Sequence, residues 1–122
     1  MKETENINLA KYILPSGLTD YFTVTSIKEE GEVLTIRLDE KNQKPPEHIG
    51  KRLESKGFFP ASRIEDFPIR EYKVYLSIRK RKWKDLDSGQ IVSRDWSLTA
   101  KGTSYTKEFG AFLKEMAGYP SG

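Results

Sequence analysis

Seven lysines and arginines fall between Arg70 and Lys84 against one acid, Glu71, a local balance of +6. Residues 1–69 carry ten bases and twelve acids, and residues 85–122 four and five, so the net charge of +3 comes from this one segment. From Ile69 the run reads IREYKVYLSIRKRKWK. Successive side chains of a strand point to opposite faces. Val74, Leu76 and Ile78 then share one face, and Lys73, Tyr75, Ser77, Arg79, Arg81 and Trp83 share the other. Cations neutralise phosphates and aromatic rings offer bases a flat surface, so the pattern suits nucleic acid. Exposed strands also carry Lys and Arg for solubility or edge protection, and the run alone fits both readings. The candidate DNA contacts are Lys73, Tyr75, Arg79, Lys80, Arg81, Lys82 and Lys84. They would act by phosphate neutralisation, with Arg79 or Arg81 able to reach base edges.

Other chemistry finds little support. His48 is the single histidine, in a PPEHIG loop, and there is no cysteine. Disulfides and thiolate metal sites are therefore excluded, which fits a cytoplasmic protein. No glycine-rich phosphate loop, GxSxG elbow or HExxH helix occurs. Asp66, Asp85, Asp87 and Asp95 sit where aspartate ordinarily serves turn chemistry. The expectation is a protein without catalytic activity and without a cofactor. The start, MKETENIN, is polar and acidic, unlike a secretory signal. No apolar run reaches the roughly 18–20 residues of a membrane span.

The elements that must position the basic run can be read in order. A chain of 122 residues is one domain in size. Asn6 or Asn8 could cap a short helix through Leu9, Tyr12, Ile13 and Leu14, stopped by Pro15 and Gly17. DYFTVTSI and VLTIRL, separated by KEEGE, read as a β-hairpin. Residues 40–51, with Pro45-Pro46, form a loop and the best candidate for an internal hinge. LESKGFF and SRIEDF follow as short strands, then the basic strand from Tyr72, a turn at DLDSG, and a returning strand QIVSRDWSLT. Tyr105, Phe109, Phe112, Leu113 and Met116 fall at helical spacing, with Thr103 or Ser104 as cap and Gly118 as stop. This apolar stripe reads as core or as a docking face rather than a cofactor site. The fold class expected is α+β, mainly antiparallel β with a helix at each end.

The order of these motifs resembles a known group. LPSGLTDYFTVTSIKEE, LESKGF, IEDFPIREYKVYLSIRKRKW and SRDWSLTAKGTSYTKEFGAFLKE together resemble the N-terminal region of ISAon-type insertion-sequence transposases, related to the ISL-type transposases of bacteria. The resemblance spans roughly residues 9–118. In the ISL-type relatives this region is a zinc ribbon with CPxC and CxxC knuckles, followed by a helical DNA-binding segment. Here the knuckles would fall at Pro45–His48 and Trp83–Leu86, with Pro45, His48, Trp83 and Leu86 at the ligand positions. Structural zinc needs four N or S ligands, and only His48 could serve. The resemblance thus implies a zinc-ribbon-like sheet without zinc. Trp83 and Leu86 would fill the vacated space, and a bulge after Arg79 would turn Trp83 inward. The expected division is helix plus hairpin over 1–39, the degenerate ribbon over 40–100 and the C-terminal helix over 101–118.

The function implied is DNA binding within transposition. The partners would be double-stranded DNA of the terminal inverted repeats and a catalytic transposase subunit, with an oligomer compatible. Catalysis would lie in a separate metal-dependent DDE domain or chain. A competing reading from another class is a protein-interaction module that docks the catalytic subunit through Tyr105, Phe109 and Phe112.

Overall fold

The computed structural model describes the backbone over residues 12–102 and 107–117, and side chains over 12–99 and 110–116. In chain order the elements are α1 (Leu18–Tyr21), β1 (Phe22–Glu30), β2 (Val33–Glu40) and a 3-10 turn (Pro46–His48). Then come β3 (Leu53–Phe58), β4 (Ser62–Ile69), β5 (Tyr72–Arg79), β6 (Arg81–Asp85), β7 (Ile91–Val92), α2 (Trp96–Gly102) and α3 (Lys107–Ala117). The fold is α+β, with mostly antiparallel strands in two sheets, a short helix near the N-terminus and a helix near the C-terminus.

The larger sheet has the order β1-β2-β5-β4. Two antiparallel hairpins, β1–β2 and β4–β5, meet along a parallel seam between β2 and β5. Gly31 takes φ 59° in the β1–β2 turn, a conformation that glycine adopts without penalty. The β4–β5 turn instead places Arg70 at φ 54°, with no glycine to announce it. Pro68 lies in β4, an edge strand, where a missing N–H is tolerated, and the register slips there between Asp66 and Ile69.

One face of this sheet is core. Phe22, Ile36, Leu38, Ile64, Leu76 and Ile78 pack with residues from the helical segments, including Leu18, Trp96, Leu113 and Met116. The Trp96 ring stacks on Phe22 at 5.0 Å between centroids. The smaller sheet, β3-β6-β7, is antiparallel throughout. The segment 40–100 therefore supplies strands to both sheets, β4 and β5 joining the N-terminal hairpin.

Two expectations are corrected. Tyr12–Leu14 is turn and bend rather than helix, and a short helix follows at Leu18; residues 6–11, where the expected helix would begin, lie outside the described residues. The returning strand QIVSRDWSLT is strand only at Ile91–Val92. The Asp95 carboxylate accepts the Leu98 N–H at 3.1 Å, and this cap starts α2 at Trp96. Of the C-terminal stripe, Phe112, Leu113 and Met116 are core, while Thr103, Ser104 and the Tyr105 and Phe109 side chains lie outside the described residues.

Candidate nucleic-acid interface

The second face of the larger sheet is covered by no described element. Alternation sends Lys73, Tyr75, Ser77 and Arg79 of β5 to it, since Val74, Leu76 and Ile78 are buried. Pairing then adds residues distant in sequence. Ser77 lies opposite Arg37 in β2 and opposite Arg63 in β4, and Arg37 lies opposite Ser26 in β1. One row, Ser26–Arg37–Ser77–Arg63, thus crosses all four strands. A bulge makes it: the register passes from Val24–Leu38 to Ser26–Arg37, with Thr25 as the extra residue. At about 4.8 Å between strands the row spans roughly 15 Å.

Arg37, Arg63 and Lys73 are exposed and have no ion-pair partner among the described residues. The Arg63 guanidinium lies 3.7 Å from the centre of the Tyr75 ring. Arg79 donates from Nε and Nη2 to the two Asp39 oxygens, both at 2.7 Å, which raises its pKa above the ordinary arginine value. It also lies 4.2 Å from the Phe58 ring centre. Between these groups runs a groove of about 370 Å³ lined by Thr25, Arg37, Asp39, Ala61, Ser77 and Arg79.

The basic run does not stay on this face. At Lys80 the chain leaves the larger sheet, and β6 continues as the middle strand of the smaller one. Parity inverts at the crossing: Trp83 is 5% exposed and Asp85 is buried. Trp83 therefore faces inward, while Leu86 is exposed, against the expectation that both would be packed inside. Pro45 is fully buried, and the His48 ring contacts the Ser93 carbonyl at 3.2 Å. Among the described residues no cluster of His, Cys, Asp or Glu could hold a metal ion.

Lys80 and Arg81 must be withdrawn as DNA contacts. Lys80 is 3% exposed, and burial lowers its pKa. The Arg81 backbone N–H donates to Glu40 Oε1 at 2.9 Å. Its guanidinium donates to the Glu40 carbonyl at 3.2 and 3.3 Å and to Ser55 Oγ at 2.6 Å. These two cations join the sheets around Glu40, which is 2% exposed and also faces Arg94 at 3.8 Å. Exchanging Arg79–Lys82 together would therefore remove buried contacts between the sheets as well as surface charge. Lys82 and Lys84 are half-buried on β6, Lys82 with its ammonium 5.8 Å from the Phe59 ring. Phe112 is 7% exposed and packed in the core, so it is not an open docking surface.

Lys73, Tyr75 and Arg79 of the sequence-derived set share one face, then, and Arg37 and Arg63 were missed. Their signal was present: each lies out of phase with its buried neighbours, Ile36 and Leu38 for one, Ile64 for the other. What was lacking was the strand order that brings them beside Ser77. Comparison of the chain with protein-family models, with curated proteins and with solved structures finds no match in any of the three.

Proposed function

We propose that this protein is a DNA-binding module whose interface is the open face of the larger sheet. The observation that carries the reading is the convergence of Arg37, Arg63 and Lys73, unpaired among the described residues, beside Tyr75 on one uncovered face. Motif order resembling the N-terminal region of insertion-sequence transposases makes element-end DNA, the terminal inverted repeats, the intended duplex. On that reading catalysis belongs to a separate DDE domain or chain. No described helix is long and apolar enough to cross a membrane.

The test is fluorescence anisotropy with a duplex carrying the terminal repeats, titrated across salt. Each phosphate neutralised contributes about −0.9 to the slope of log K against log salt. Replacing Arg37, Arg63 and Lys73 with Gln should weaken binding at least about tenfold and flatten the slope by roughly 2 to 3. Exchanging Lys51 and Lys56, just before and within β3, and Lys114 of α3 should change little. Binding that is insensitive to salt, or equally reduced by both triple variants, rejects the interface.

A further inference from the structure

Tyr75 on the open face and Phe58 beside it each already carry a cation. The Arg63 guanidinium lies 3.7 Å from the Tyr75 ring centre, the distance of stacked contact, so a base cannot use that side of the ring. Phe58 is approached by Arg79 at 4.2 Å and Arg81 at 4.6 Å. A guanidinium stacked on a ring engages through its flat face, leaving the N–H groups around its edge available to phosphate oxygens. Arg63 has no ion-pair partner among the described residues, so those donors are not drawn to a carboxylate. Holding the side chain in advance also reduces the rotamer freedom lost on binding.

The breadth of the sheet points the same way. The major groove is about 12 Å wide and admits a helix or a two-stranded ribbon. A four-stranded face roughly 15 Å across its strand axes cannot enter it. Such a face meets the duplex at its backbone.

We propose that the open face grips duplex DNA through phosphates alone, with Tyr75 a positioning residue that holds Arg63 rather than a platform for a base. The inference rests on the DNA-binding reading and specifies the ligand and how it is held. It also means that any choice of sequence is made elsewhere than on this face.

The experiment is a double-mutant cycle on the full chain. Tyr75→Phe, Tyr75→Ala, Arg63→Gln and the double variant Tyr75→Ala/Arg63→Gln are titrated with a duplex, a scrambled duplex of equal length and the corresponding single strand. Thermal melts verify that each variant is folded. Tyr75→Phe keeps the ring and should bind within about twofold of the unmodified protein. Tyr75→Ala should lose roughly two- to fivefold, the scale of an exposed cation–π contact. That loss should vanish once Arg63 is Gln, and the two duplexes should bind alike and more tightly than the single strand. Preference for the single strand, or a Tyr75→Ala loss that persists in full with Gln at 63, overturns the positioning role while leaving DNA binding intact. Failure of every nucleic acid to bind overturns both.

Discussion

Arg81 stands in the densest positive stretch of the chain, yet its guanidinium is turned toward the Glu40 carbonyl and the Ser55 hydroxyl. A linear run of charge carries no record of which side chains face water. The alternation through Val74, Leu76 and Ile78 was legible because the strand stays in one sheet. Beyond Arg79 it fails, because the chain changes sheets at Lys80 and the buried positions of β6 are the odd-numbered Trp83 and Asp85. Alternation placed Trp83 on the outer face and the resemblance placed it inside; it turns inward, and the cause is the passage between sheets. Arg81→Gln should therefore act on stability, by roughly 1.5–3 kcal/mol for hydrogen bonds made by a charged group. Urea denaturation measures it, and a loss below about 0.5 kcal/mol would mean these bonds do not hold the sheets together.

At the scale of elements, the hairpin β1–β2 was readable from alternating β-branched residues around a glycine turn, and Gly31 does supply the positive φ. The turn at Arg70–Glu71 was not readable, because arginine occupies the conformation that usually asks for glycine or asparagine. Helix α2 was hidden for a different reason. Its seven residues begin with Trp96, whose bulky ring reads as strand, and the signal was the short Asp95 side chain one position earlier. The helical spacing of Phe112, Leu113 and Met116 was correct as core. Leu113 is 0% exposed, so Leu113→Ala should cost about 2–5 kcal/mol through lost burial and the cavity left behind. A chemical-denaturation midpoint unchanged from the unmodified protein would mean α3 does not stabilise the sheet.

Over the whole molecule, two sheets share a buried junction with one carboxylate among Lys80, Arg81 and Arg94. Burial raises the Glu40 pKa from 4.5 to about 7, against the opposing pull of the Arg81 N–H and the three cations. Between those values the folded protein binds this proton more tightly than the unfolded chain. The stability from Glu40 is thus fully present below about pH 4.5 and is lost as pH rises through about 7. Burial of Lys80 acts with the opposite sign, adding stability as pH climbs toward the ordinary lysine value. Denaturation at about pH 5 and about pH 7 should show the unmodified protein losing stability relative to Glu40→Gln over that interval. Parallel profiles would contradict the assignment. The fold class could be read from the order of short alternating runs, but the joining of β2 to β5 could not. Parallel neighbours have no turn between them to declare the pairing, and here Arg37 and Ser77 are forty positions apart. That seam has a consequence for how the surface comes into being. Each hairpin closes over a short loop, whereas the seam must close a long one and bears the larger entropic cost. The hairpin β1–β2 contributes Ser26 and Arg37, and β4–β5 contributes Ser77 and Arg63. A nascent chain with only the first hairpin outside the ribosome presents half a row, and the complete row exists only once the slowest pairing is made.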